Sequence, residues 1–173
     1  WSSDVCSSDL KIFYCLHDCV SIPKNHPDSR ISSTLSAKKA IELLQQHPIY
    51  KSDLDAIYHA IEAHSYSRGI KPTTKEAAIV QDADRLDALG AIGIARMFAV
   101  SGSLNRSLYN TEDPQAHHRQ LDDKANGLDH IETKLLKLPE LMQTTTGKRL
   151  AQERAVYIQN FKEQLLREIQ INL

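Results

Sequence analysis

The chain has 173 residues, 21 basic and 22 acidic side chains, and 41% hydrophobic residues. That length suits one domain with a sizeable core, and the neutral balance argues against a generic nucleic-acid or membrane-surface binder. Three cysteines are too few for a disulfide framework and point to a reducing, cytoplasmic setting, with no basic stretch leading into an apolar one as in a secretion signal.

Gly and Pro number six each, aromatics are scarce, and Leu, Ala, Glu, Gln and Lys are common, which is helical composition. Residues 1–10 (WSSDVCSSDL) lack apolar periodicity and read as a translated sequencing-library adapter. They are treated as non-native, leaving 11–173 as the domain. Residues 11–18 (KIFYCLHD) form an apolar run ending in His-Asp, which predicts the last turns of a buried helix. Pro23 and Pro27 then impose a loop. Ser32 or Ser33 is expected to cap a helix whose apolar positions are Leu35, Ala37, Ala40, Ile41 and Leu44. Ser52 is the expected cap of the next helix, which carries Leu54, Ile57, Tyr58 and Ile61 to about His64. After a loop at Arg68, Gly69 and Pro72, Thr73 or Thr74 caps a long run with Ile79, Ala83, Leu86, Gly90 and Ile94 on one stripe. Gly90 and Gly93 mark a close contact or kink. The longest weakly polar stretch, 88–100, is too short to span a bilayer and contains Arg96. Residues 101–120 read as loop. Asp122 or Asp123 is expected to start a helix bearing Leu128, Ile131, Leu135 and Leu138 and ended by Pro139. A last helix from about Thr146 carries Leu150, Ala151, Val156, Phe161, Leu165 and Ile169. The prediction is a single compact all-α domain of six or seven helices.

Three places carry chemistry. A charged pair, His17-Asp18, inside an apolar run costs several kcal/mol unless paired or bound to metal. In QDADRLD, Asp84 and Asp87 share a helix face beside apolar Val80 and Ala91. His59 and His64 are five apart, a spacing that does not share a face of a straight helix. Imidazole and carboxylate ligands from separate helices suit Mn, Fe, Co, Ni or Zn, and Mg less well. Such an ion acidifies a bound water and neutralises phosphate oxygens, which points to hydrolysis of a phosphoester or pyrophosphate.

The segments HDCVSIPKNHP, HAIEAHSYS, AAIVQDADRLDALGAIGIARMFAVSG, EDP…RQLDD and TKLLKLPELMQTTTGKRLA resemble a bacterial subgroup of HD-domain hydrolases over most of the chain, from about Phe13 to Leu150. The resemblance implies a metal site of a His, a His-Asp pair and a distant Asp. His17 and Asp18 match the pair and Asp84 the distant Asp. The first His is expected upstream of Lys11, so a chain beginning here is expected to bind metal weakly. Relatives are similar to nucleotide pyrophosphohydrolases that split nucleoside triphosphates into monophosphate and pyrophosphate, with Mn preferred among the divalent ions.

Several such enzymes carry a Glu three residues after the Asp of the pair, where this chain has Ser21. The general acid/base is then one of Glu62, His59, His64 and Asp87, with Asp18 at the reacting centre, or the metal-activated water acts unaided. His59 and His64 are expected as second-layer or phosphate-facing groups. Lys24, Lys134 and Lys137 are candidate phosphate contacts. Arg85 is expected to pair with a carboxylate, and Cys15 and Cys19 to be buried small hydrophobes. His26, His47, His117 and His118 are expected at the surface, and His130 is undecided. The expected partner is a small phosphorylated substrate of nucleotide type rather than duplex nucleic acid or membrane, and a homo-oligomer is left open. A phosphomonoesterase, a phosphodiesterase and a catalytically silent nucleotide- or protein-binding helical module are the alternatives.

Overall fold

The computed structural model describes residues 12, 13, 15–23, 26–50 and 52–170, apart from the side chains of Ile49 and Gln170. These residues form six α-helices: α1 (Ser32–Leu44), α2 (Leu54–Ala63), α3 (Lys75–Asp87), α4 (Gly90–Ser103), α5 (Asp129–Thr133) and α6 (Thr145–Gln170). Short 3-10 turns occupy Pro27–Ile31, Pro48–Tyr50, Tyr66–Arg68 and Leu135–Leu141. No named strand occurs among the described residues; the one extended pairing there is an isolated bridge between Ser107 and Asn126. The fold is all-α, as the composition predicts. No single helix among these residues is long and apolar enough to cross a membrane. The chain divides into two compact units, one up to Asp84 and one from Arg85 onward.

The first unit is organised by α1 and α2. Ala37, Ala40 and Leu44 recur at helical spacing on α1, and Ile57, Ala60 and Ile61 on α2; all are buried, with Phe13, Ala77 and Val80 beside them. The alanines let the two helices approach closely, and burying Ile57 and Ile61 contributes about 1.5–3 kcal/mol each. The serines that open α1 do not cap it. Its N-cap position is Ile31, with no side-chain cap bond. Ser32 Oγ instead donates to the Val20 carbonyl at 2.9 Å and Ser33 Oγ to the Glu62 carbonyl at 3.2 Å. Ser36 Oγ, at 3.1 Å, accepts from the Val20 N–H. The hydroxyls therefore tie the segment after His17-Asp18 onto α1. Likewise Asp53, not Ser52, precedes α2, without a side-chain cap bond. Thr74 does cap α3, accepting from the Ala77 N–H at 3.1 Å. The buried residues of α3 are Ala77, Val80, Gln81, Asp82 and Arg85, and Ala83 is exposed, contrary to the predicted stripe.

In the second unit the core is Leu89, Ile94, Met97, Leu128, Ile131, Leu135, Leu138, Ala151 and Ile158, with Phe98 and Phe161 rings 6.0 Å apart. The long run predicted from Thr74 breaks at Ala88-Leu89. Gly90 has φ +71°, the left-handed region glycine tolerates. A Cβ on Gly93 would lie 2.2 Å from the Ala88 carbonyl oxygen, so the glycine is what allows the tight corner. Asp122 and Asp123 do not start a helix; α5 begins at Asp129. Asp122 is spent inside the loop, where its Oδ1 accepts from the N–H of Lys124 at 2.9 Å and of Ala125 at 3.2 Å. Pro139 lies within the Leu135–Leu141 turn rather than after it. On α6, Ala151 and Ile158 are buried, whereas Val156 is 61% exposed and leaves the predicted apolar face.

Candidate metal centre

Residues 12, 13, 15 and 16 are helical and the turn ends as predicted, with the His17 N–H donating to the Phe13 carbonyl at 2.9 Å. Buried Phe13 anchors that turn in the core, and the serines of α1 hold the chain just beyond Asp18. His17 is thus half-buried and Asp18 largely exposed. Facing them is His64, at the C-cap of α2 and buried.

These three side chains converge. His17 Nε2 lies 3.5 Å from Asp18 Oδ2, and His64 Nε2 lies 3.6 Å from Asp18 Oδ1. The two imidazoles meet edge to face, centroids 4.9 Å apart. One ligand atom from each of the three residues falls within 4.8 Å of the others. Neighbouring ligands on a first-row cation bound at about 2.1 Å sit about 3.0–3.4 Å apart, so small adjustments would close the set on one ion.

The tautomer of His64 is fixed by its surroundings. Its Nδ1 is 2.6 Å from the Ile61 carbonyl oxygen, which can only accept, so Nδ1 carries hydrogen. Neutral His64 therefore presents a lone pair at Nε2, toward Asp18. This is the usual arrangement behind a metal-bound imidazole. Burial pushes the pKa of His64 down. The Asp18 hydrogen bond, the charge of Asp84 and the Ile61 carbonyl outweigh it and hold the group above its ordinary value. The cluster is thus an electronegative spot that stabilises positive charge, whether a proton or a cation.

Gln81 positions this histidine. Its Nε2 donates to the carbonyls of Ala63 at 2.6 Å and Ile70 at 3.1 Å, clamping the end of α2 to α3. Asp84 follows three residues later on the same face of α3, half-buried, with its charge acting on His64.

The other expected site residues fall as follows. His59 faces away from His64, as the five-residue spacing implies, and its Nε2 accepts from the Thr73 N–H at 2.9 Å. Glu62 accepts from Thr34 Oγ1 at 2.9 Å and lies 3.4 Å from Arg68. Exposed Asp87 lies 3.7 Å from Arg96. Arg85 is buried and donates to the Leu141 carbonyl. Lys134, half-buried, and Lys137, exposed, belong to the second unit. Lys24 lies outside the described residues. Cys15 and Cys19 are exposed, not buried; Cys15 sits on the outward side of the helical residues before His17, and Cys19 lies in the bend after Asp18 with its Sγ 3.5 Å from the Ser36 carbonyl oxygen. His26, His47, His117 and His118 are exposed as expected. Sequence reasoning assigned the third ligand position to Asp84 and kept His64 behind it. The structure gathers His64 with His17 and Asp18, and Asp84 lies outside that set of three.

The HD domain family model matches residues 7–89. The Bacillus subtilis protein YpgQ is 34% identical over 139 residues, covering 78% of this chain, and this chain spans 62% of that protein's length. The crystal structure of YpgQ in complex with ADP superposes with a TM-score of 0.68 at 32% identity, covering 92% of this chain and 73% of that one. A Bacillus thuringiensis protein described as an HD-superfamily hydrolase aligns with a TM-score of 0.60 at 28% identity, over 93% of this chain and 84% of its own.

Proposed function

The chain belongs to the HD-domain family, and from that premise we propose that it is a divalent-metal-dependent phosphohydrolase acting on nucleoside triphosphates, which it splits into monophosphate and pyrophosphate. The observation that carries this reading is the convergence of His17, Asp18 and His64, with the Nδ1 of His64 committed to a backbone carbonyl and its Nε2 turned to the shared centre. Two imidazoles and a carboxylate suit a Mn-like ion. Bound there, the ion would supply Lewis acidity toward phosphate oxygens and acidify water.

This chain's own residues do the rest. Asp18 offers an oxygen to each side of the centre, neutralising cationic charge while leaving an open, solvent-facing side for substrate. Asp84 adds negative charge behind His64 and keeps the site selective for a cation. His17 is held by its helical turn and His64 by Ile61 and Gln81, so neither needs reordering when a ligand arrives. The nucleotide as substrate draws support from the ADP bound to the similar YpgQ.

The test is a substrate screen with Mn, Mg, Co and Ni that separates pyrophosphate from phosphate release. Pyrophosphate from a nucleoside triphosphate supports the proposal. Phosphate from a monophosphate would replace it with a phosphatase, and nucleotide binding without turnover would leave a silent module.

A further inference from the structure

The loop that leaves His64 is strapped back onto the helices that hold the candidate centre. Gln81 Nε2 donates to the carbonyls of Ala63, just before His64, and of Ile70, so one amide gathers both ends of the stretch between them. Within that stretch the turn Tyr66–Arg68 packs against the turn Pro27–Ile31, in the segment that follows His17-Asp18. The Arg68 N–H donates to the Ser65 carbonyl at 3.2 Å. Its guanidinium folds back toward α2, where Nη2 lies 3.4 Å from Glu62 Oε1.

Glu62 is held in place to receive it. Its Oε1 accepts from Thr34 Oγ1 at 2.9 Å, and its carbonyl accepts from Ser33 Oγ at 3.2 Å. On the same helix, Ser32 and Ser36 bind Val20, two residues past Asp18. Asp18 in turn lies 3.6 Å from His64, two residues past Glu62. These contacts run from Asp18 through Val20, α1, Glu62 and His64 back to Asp18, and Arg68 is attached to that circuit. The guanidinium is only lightly engaged. One N–H reaches Glu62 in an exposed pair, and the others make no hydrogen bond or ion pair among the described residues. A single exposed contact of this kind holds weakly, and Oε1 is already shared with Thr34. The planar fork of donors is therefore able to turn to a stronger partner, and phosphate oxygens match it in charge and geometry.

We propose that Arg68 binds the triphosphate chain of the substrate at the His17–Asp18–His64 centre, with Glu62 as the residue that positions it. Glu62 then serves as an anchor for a cation and not as the general base. Naming the anion as a nucleoside triphosphate rests on the function proposed above.

The experiment titrates α,β-methylene ATP into the whole chain with Mn in excess, comparing wild type with Arg68→Gln. The analogue keeps the triphosphate charge and resists cleavage at the bond the hydrolase breaks; adenine follows the ADP held by YpgQ. Losing a charge-assisted contact should weaken its binding roughly tenfold or more. Mn alone should bind both proteins equally, which separates a phosphate contact from a general disturbance of the centre. Wild-type affinity for the analogue in Arg68→Gln, an equal weakening for Mn alone, or a wild type that does not bind the analogue overturns the proposal. If the substrate screen yields no pyrophosphate while binding still depends on Arg68, the hydrolase reading falls and the contact stands. Pyrophosphate released by Arg68→Gln with the wild-type KM keeps the hydrolase and removes the contact.

Discussion

Replacing Asp129 tests how the second unit is held together. Asp129 is 2% exposed, and its carboxylate accepts four hydrogen bonds. Three reach Oδ2: Arg119 Nη1 at 2.5 Å, the Asp122 N–H at 2.8 Å and Asn126 Nδ2 at 3.4 Å. Arg119 Nη2 reaches Oδ1 at 2.8 Å. In Asp129→Asn an amide oxygen at the Oδ2 position keeps three of these bonds, but the amide NH2 then confronts Arg119 Nη2, donor against donor, and the guanidinium loses its counter-charge. Breaking a buried pair from one side costs about 3–5 kcal/mol, so Asp129→Asn should lose about 3 and Asp129→Ala nearer 5. Urea unfolding followed by far-ultraviolet circular dichroism measures both. The pH dependence carries a sign. Burial pushes the Asp129 pKa up, but Arg119 and the Asp122 N–H hold it below the ordinary carboxylate value. Its contribution is therefore present above the unfolded pKa near 3.9 and disappears as pH falls through the lower folded value. The wild type should lose this increment below about pH 4, and Asp129→Asn should not. A loss under about 1 kcal/mol in Asp129→Ala would refute the reasoning, because that is the scale of an exposed pair.

Other substitutions probe the first unit and the corner. Gln81→Leu leaves the Ala63 and Ile70 carbonyls without their amide donor, costing about 2–4 kcal/mol; Mn affinity should fall about tenfold or more through His64, and affinity at the wild-type value would remove Gln81 as a positioning residue. Asp84→Ala should abolish hydrolysis with little change in circular dichroism, and the His64 imidazole, deprived of a charge that raises its pKa, should titrate lower by NMR. Turnover near wild type would take Asp84 out of the site. Gly93→Ala places a Cβ 2.2 Å from the Ala88 oxygen and should destabilise by about 3 kcal/mol or more, seen as a lowered urea midpoint; a tolerated alanine would mean the corner can move.

The helices were legible because their apolar residues repeat: Ala37, Ala40 and Leu44, or Leu128, Ile131, Leu135 and Leu138, are the buried faces the periodicity predicts. His17 and Asp18 stood out as charge in an apolar run. His64 was legible only as a second-layer or phosphate-facing candidate, because its position depends on where α2 ends and on a ring nitrogen committed to Ile61, neither of which spacing encodes. Cap signals misled where the polar side chain had a distant use. Ser32 and Ser36 bind Val20, twelve and sixteen residues away, and Asp122 is consumed by its own loop. The Asp123–His130 pair and the Arg119–Asp129 pair were illegible for the same reason, since the loop that brings them together has no periodicity.

The most direct measurement is an anomalous difference map from crystals of the protein grown with Mn. The account predicts one strong peak about 2.0–2.4 Å from a nitrogen of His17, an oxygen of Asp18 and Nε2 of His64. A peak bound by other residues, or none at these three with Mn in excess, would contradict it.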